Sequence, residues 1–408
     1  MNILLINHYA GSKEYGMEYR PYYLAREWVR QGHQVTIVGA SFSHLRLKNP
    51  QIANDYAVEE IEGVQYIWFT TPEYGGALAR IKNMLAFMRK LYKYSKRLVE
   101  DVCPNLVIAS STYPLDNYPA YKIAKLAGAK YTYEIHDIWP LSPMLIGGYS
   151  KWHPFIVVMQ RAEDFAYKHV DKVVSLLWNA EGHCRERGLG TGKFVCVPNG
   201  YFPEEWTDDK FALSLPTEHH RAFDSLKGKI IVGFAGGFAA SGSVVTLVQA
   251  AAELKDREDI HFVLVGKGPE KESYEKIIRD NSLQNITILP AVPKSLIPAI
   301  NSRFDIAFLG GLHSVLHQFG TSYNKMTDYM LSGKPIVQSV DEPGSVVERV
   351  DCGIRVEAEN AKAVADAIVK LAGMTAEERT AMGRKGKEYV EKNLPWSKLA
   401  EDFLKPMI

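Results

Sequence analysis

What this chain of 408 residues has little of narrows its class first. Its formal net charge is only +1, from 48 Lys and Arg against 47 Asp and Glu, which argues against a nucleic-acid binder that works by bulk electrostatics. Apolar runs are short, and none approaches the roughly 20 residues that would span a bilayer. The opening Met1–Asn7 is apolar but brief, without a basic start or a cleavage site, so no signal peptide is expected. Cysteine is scarce too: Cys103, Cys184, Cys196 and Cys352 are scattered, with no pair at metal-ligand spacing. The expectation is a cytoplasmic chain with free thiols and no bound metal. Tandem repeats and low-complexity segments are missing as well. The 46% hydrophobic and 23% charged residues are ordinary for globular chains, and the length suits two or three domains.

What is present is alternation. Strand-like and helix-like stretches follow one another nearly throughout, which points to an α/β chain of doubly wound parallel sheets. In the first half the strand-like runs are Ile3–Asn7, Gln34–Val38, Val64–Thr70 in a hairpin, Leu106–Ser110, Lys130–His136, Lys172–Leu176 and Phe194–Val197. Pro198-Asn199-Gly200 then marks a turn, and residues 204–228 lose periodicity while gaining Pro, Asp, Glu and the pair His219-His220. The pattern restarts at Lys229–Phe234 and continues through His261–Val265, Asn285–Leu289, Asp305–Leu309 and Pro335–Gln338. Two Rossmann-like halves facing across a cleft are expected: 1–203, a connection 204–228, then 229–393. The helical segment 394–408, entered at Leu394-Pro395-Trp396, is expected to pack back on the first half.

The richest stretch is Gly320–Val337, which reads as a polar loop, a short helix, a Gly stop and a buried strand. A polar loop that opens a helix offers unpaired N–H groups and the positive end of the helix dipole, which suits a phosphate. Lys325 adds a mobile cation, and Asp328, about one turn on, is placed to accept hydrogen bonds from a sugar hydroxyl. A plain surface helix capped by Asn324 and ended by Gly333 explains the same residues. Glycine-rich loops follow the other strands of this half: Gly236-Gly237, Gly266-Lys267-Gly268 and Gly310-Gly311. None completes a P-loop or a G-x-G-x-x-G fingerprint, so ATPase and simple dehydrogenase readings recede.

In the first half, His136-Asp137 closes a strand and is followed by Ile138-Trp139-Pro140. The imidazole can donate or accept near neutral pH, and the adjacent carboxylate can fix its tautomer or contact hydroxyls. A core histidine beside a turn-capping aspartate is the plainer account. The loop His8–Arg20 is rich in polar and aromatic groups, as a carbohydrate-contacting loop would be. Residues 80–97 carry seven cations and no acid, with Ile81, Met84, Leu85, Met88, Leu91 and Tyr92 at helical spacing. Such a helix can lie on an anionic membrane surface, or pack on a core with a solvated basic face.

Taken together, these residues resemble the retaining glycosyltransferases of family 4, of GT-B architecture. The resemblance spans most of the chain: the Gly loop after the first strand, Gly32–Thr36, His136–Pro140, Val197–Gly200, and Tyr323-Asn324-Lys325 with Asp328-Tyr329-Met330 and Gly333-Lys334-Pro335. Within the family it looks most like bacterial enzymes that build O-antigen or capsule repeats (lipopolysaccharide biosynthesis), often transferring N-acetylated amino sugars. The resemblance implies transfer of a sugar from a nucleotide diphosphate, UDP by expectation, with retention at the anomeric carbon and no metal cofactor. It implies Asp328 at the ribose, and Ser322, Tyr323, Asn324 and Lys325 at the diphosphate and donor sugar. Gly236 and Gly237 would line the donor, Lys267, Pro290 and Val292 would flank the base, and His136 with Asp137 would act beside Lys325 in catalysis. Gly16, Glu18, Tyr19 and Arg20 would face the acceptor, a saccharide on a polyprenyl diphosphate lipid at the cytoplasmic face of the inner membrane.

Two departures from the family pattern stand out. Its two Glu, eight positions apart, are Gly320 and Asp328 here, so the first contact is absent or supplied elsewhere. The Arg and Lys that commonly follow the first strand of the second domain are missing, since Ile230 to Leu254 holds no cation. Alternatives are a nucleotide-sugar epimerase of the same architecture and a non-catalytic carbohydrate or nucleotide sensor.

Overall fold

Apolar runs without polar alternation, such as Ile3–Ile6 and Phe262–Val265, become strands buried on both faces in the computed structural model, which describes residues 1–408. The chain divides into two units, one formed by Met1–Asn199 with Trp396–Ile408 and the other by Gly200–Pro395.

The first unit is built on an eight-stranded sheet: β1 (Asn2–Ile6), β2 (Gln34–Ala40), β3 (Ala57–Ile61), β4 (Val64–Phe69), β5 (Leu106–Ala109), β6 (Lys130–Ile135), β7 (Lys172–Ser175) and β8 (Phe194–Cys196). Their spatial order is β3-β4-β2-β1-β5-β6-β7-β8, parallel throughout except for the antiparallel β3–β4 hairpin at one edge. The helix Arg20–Arg30 carries Pro21 in its first turn, where no backbone donor is lost, and buries Leu24, Ala25 and Trp28. It packs against the chain's last long helix, Trp396–Leu404. There the Trp28 indole donates to the Ala400 carbonyl at 2.9 Å and meets the Phe403 ring edge-on, centroids 5.1 Å apart.

The cation-rich stretch forms two helices, Ala77–Lys93 and Ser95–Val102, that share Tyr94 at their junction. Of its six periodic apolar residues, Met84, Met88 and Leu91 are buried, Ile81 is half-buried, and Leu85 and Tyr92 are exposed. One of its cations, Lys90, is committed to Asp55.

The second unit carries six parallel strands: β9 (Ile230–Gly237), β10 (Ile260–Lys267), β11 (Ile286–Leu289), β12 (Ile306–Gly310), β13 (Ile336–Ser339) and β14 (Gly353–Val356). They run in the order β11-β10-β9-β12-β13-β14. Its core joins Phe234, Phe262, Leu264 and Phe308 of the sheet to Leu247, Val248 and Ala251 of the helix Val244–Glu253, and to Val364, Ile368 and Leu371 of the helix Ala361–Ala372. The aperiodic stretch 204–228 is not an open tether. It holds the helices Asp208–Phe211 and Thr217–Ser225 and belongs to this unit, held by buried His219, whose Nε2 bonds the Pro290 carbonyl at 2.8 Å.

Because the last helix completes the first unit's core, Phe403→Ala should lower the stability of that unit by about 3–5 kcal/mol. Exposed Glu401→Ala on the same helix should change it by less than about 0.5 kcal/mol. Denaturant titration followed by tryptophan fluorescence reads both; equal effects would mean that the helix is not part of the cooperative core.

Candidate functional site

Each unit gathers polar groups where its strands end. In the second unit these ends are Gly236-Gly237 on β9, Lys267 on β10, Pro290–Val292 after β11, and the loop 311–323 after β12, on four neighbouring strands. Close approach of backbone decides the first of these positions. A Cβ on Gly236 would fall 2.1 Å from Lys325 Cε, so only glycine lets the lysine stem lie there. The Lys325 ammonium sits 5.7 Å from the Phe234 ring centre and has no protein acceptor or ion pair. Burial pushes its pKa down, with Asp328 opposing.

Lys325 belongs to the helix Asn324–Leu331, whose N-cap is Tyr323 and whose first turn is bonded by no side-chain cap. The capping role open to Asn324 is therefore not taken; Asn324 is exposed one residue inside the helix. Asp328 is half-buried and takes no hydrogen bond from a protein donor. Burial pushes its carboxyl up to about 7, partly offset by Lys294 and Lys325. An ammonium and a carboxylate held half-buried without partners, beside an uncapped helix start, form a surface that lacks its counterpart.

The loop before this helix is held from below. Glu342, buried, accepts from Thr321 N at 2.8 Å, Thr321 Oγ1 at 2.6 Å and Gln338 Nε2 at 2.9 Å. Tyr323 Oη meets His317 Nε2 at 3.1 Å, and the buried Tyr329 Oη accepts the Ala235 N–H at 3.1 Å, tying the helix to β9.

In the first unit the ends of β1, β5 and β6 meet. Asn7 Nδ2 donates to the Ser110 carbonyl at 2.6 Å and to Ser110 Oγ at 3.2 Å. Ser110 Oγ donates to Glu134 Oε2 at 2.6 Å and lies 3.1 Å from His136 Nε2, which is itself 3.4 Å from Glu134 Oε2. Arg20 Nε bonds the other Glu134 oxygen at 2.9 Å. Burial alone would raise the Glu134 carboxyl and lower the His136 imidazole. The neighbouring charges prevail at both, drawing Glu134 down to about 2 and raising His136 above its usual value.

Residues 15–200 match the glycosyl transferase 4-like domain, and residues 229–373 match the family described as glycosyl transferases group 1. The chain belongs to the glycosyltransferases. It is 22% identical over 404 residues, 93% of each chain, to WcaI of Escherichia coli (strain K12), which bears the name of a colanic acid biosynthesis glycosyl transferase. The Anabaena Alr3699/HepE structure in complex with UDP and glucose has a TM-score of 0.64 at 13% identity, covering 99% of this chain and 98% of that one. The E. coli trehalose-6-phosphate structure bound with UDP-2-fluoro glucose has a TM-score of 0.70 at 11% identity, with 99% and 98% covered. The fold they share with this chain is GT-B.

Within that glycosyltransferase fold, several residues singled out from sequence stand differently. The carboxylate that meets His136 is Glu134, a residue the sequence did not single out; Asp137, its chain neighbour, is exposed. Arg20, expected on the acceptor side, turns inward. It is buried, and its remaining donors go to Val197 O at 2.7 Å, Pro198 O at 2.9 Å and Asn199 Oδ1 at 3.2 Å. Gly16 is buried in a backbone bridge to Ser12 and Arg46, whereas Glu18 and Tyr19 are half-buried at the loop's end. Gly237, Lys267 and Pro290 are exposed, and Ser322, Tyr323 and Val292 are half-buried.

The Asp328 geometry carries a stability cost whose sign follows from its raised pKa. The folded carboxyl holds its proton to higher pH than the unfolded one. Stability contributed at this position therefore falls between pH 4 and pH 7 and stays low above. Asp328→Asn should stabilise the protein by roughly 1–3 kcal/mol at pH 8, with the gain shrinking toward pH 4. Thermal melts across pH would show it; a pH-independent effect would refute the assignment.

Proposed function

We propose that this glycosyltransferase moves a sugar from a UDP donor, with retention and without a bound metal, to a hydroxyl of a lipid-linked intermediate of surface polysaccharide. The observation that carries the reading is the unpartnered Lys325 ammonium beside the uncapped start of the helix Asn324–Leu331, with unpartnered Asp328 one turn on. A leaving diphosphate needs compensation that grows as the glycosidic bond breaks. Lys325 and the helix start would supply it from fixed positions, so the charge is met without reorganisation. Asp328 accepts the ribose hydroxyls, and Pro290, Val292 and Lys267 flank the base. Gly236, Gly237, Ser322, Tyr323 and Asn324 line the donor.

In the first unit, His136 is the proposed catalytic group, and Glu18 and Tyr19 are the acceptor-side groups. The UDP complex of HepE supports the nucleotide, and the colanic acid name of WcaI supports a polysaccharide product. An N-acetylated amino sugar is the donor class implied by the sequence resemblance. Leu78, Leu85 and Tyr92, exposed along a helix that also carries Arg80, Lys82 and Arg89, support contact with an anionic membrane holding the acceptor.

Calorimetry with UDP, GDP, dTDP and CMP in EDTA should show tight binding of UDP alone. Failure of every nucleotide to bind would remove the donor-site assignments at Asn324, Lys325 and Asp328. Lys325→Ala should raise the transfer barrier by about 2–4 kcal/mol, read as kcat/KM. A variant as fast as the parent protein would take Lys325 out of the mechanism.

A further inference from the structure

The acceptor of the His136 ring proton is settled by counting hydrogens around Ser110. A hydroxyl has one proton, and the Ser110 proton goes to Glu134 Oε2, the shortest contact of the group at 2.6 Å. Asn7 Nδ2 approaches Ser110 Oγ at 3.2 Å and can only donate. At 3.1 Å from an oxygen whose proton is already spent, and 3.4 Å from a carboxylate, His136 Nε2 must also be a donor. The other ring nitrogen, Nδ1, has no hydrogen bond within the protein and is not among the buried polar atoms without partners, so it reaches solvent.

Glu134 is placed for this task rather than for a simple ion pair. Arg20 gives it one N–H and spends the others on Val197, Pro198 and Asn199, instead of taking both carboxylate oxygens in a fork. That leaves Oε2 for Ser110 and the imidazole. Glu134 and His136 also lie two residues apart, the spacing that sends side chains to one face as β6 ends.

We propose that Glu134, with Ser110, is the positioning residue of His136: it fixes the ring proton on Nε2 and leaves Nδ1 as the nitrogen offered to the reacting sugar. This rests on the reading of His136 as a group of the transfer site. Replacing the carboxylate's charge while keeping an oxygen in place separates the electrostatic role from the packing role. The charged groups around the ring are Glu134 on its own strand, Glu18 and Arg20 from the opening loop and first helix, and Asp116 and Asp137 nearby. Of the three carboxylates beyond Glu134, none hydrogen-bonds the ring, so Glu134 dominates the bias toward the imidazolium.

The test uses the full chain labelled with 15N histidine and followed by NMR through pH, alongside Glu134→Gln and Ser110→Ala. In the parent protein the neutral His136 ring should show the Nε2–H tautomer. In Glu134→Gln its pKa should fall by about one pH unit or more. The acid limb of the kcat profile should move with it, and kcat should drop roughly 10–100-fold at a donor KM within about twofold. A parent ring protonated on Nδ1, or a Glu134→Gln ring that titrates as before, overturns the assignment. The tautomer in the parent protein decides the matter even if the variants fold poorly. His136→Gln with full transfer activity would instead remove the functional reading of His136, and the proposed use of Nδ1 with it, whatever the ring titration shows.

Discussion

The Arg20 guanidinium is buried, and each of its nitrogens is engaged: carboxylate on one side, three backbone or amide oxygens on the other, and the Trp396 ring 5.9 Å away. Moving such a pair out of water costs several kcal/mol, and its attraction repays that only when every donor and lone pair is used. Here each guanidinium nitrogen and both Glu134 oxygens have partners, and the pair joins the start of the first helix, the end of β6, the tail after β8 and the returning C-terminal helix. An apolar replacement could match its stability, but not the contacts by which the pair links four separate elements. The position of β6's last residues, and hence of His136, depends on this one satisfied charge.

The second unit shows the opposite arrangement. Lys325 and Asp328 are desolvated without being paired, and both pKa values move toward the neutral form in consequence. A fold selected only for stability would place apolar residues there. Unspent electrostatic potential of this sort suits a site whose missing charges arrive with a ligand, and the surrounding scaffold is rigid enough to hold it: Glu342 beneath the loop, Tyr329 against β9, Gly236 under the lysine stem.

Much of the fold was legible because parallel strands covered on both faces must be apolar without a break. Ile3–Ile6, Val232–Phe234 and Ile306–Leu309 show this plainly. β14 did not stand out, since Gly353-Ile354-Arg355-Val356 is only half-buried and carries a glycine and an arginine. The helix Thr217–Ser225 escaped notice because it buries one histidine and one phenylalanine, too little for a visible stripe. In the site, local signals were readable: a lysine and an aspartate one turn apart, a histidine at a strand's end. Glu134 was not, because a carboxylate in Tyr131-Thr132-Tyr133-Glu134 reads as a solvent-facing position until Arg20, 114 residues away, is brought against it. The neighbouring Asp137 drew attention instead, though adjacency in sequence at the end of a strand sends successive side chains apart.

The chain's division into units has a consequence for synthesis. The first unit's core includes Trp396–Leu404, which is translated only after the whole of Gly200–Pro395. At about 5–20 residues per second, the ribosome needs on the order of 10–40 s to cross that stretch, and meanwhile Trp28 and its apolar neighbours lack their cover. The second unit, contiguous in sequence, is free to fold before the first is finished. A chain without Trp396–Leu404 would therefore carry a complete second unit beside an incomplete first one, with Trp28 and its apolar neighbours uncovered, a face of the kind that chaperones and proteases recognise.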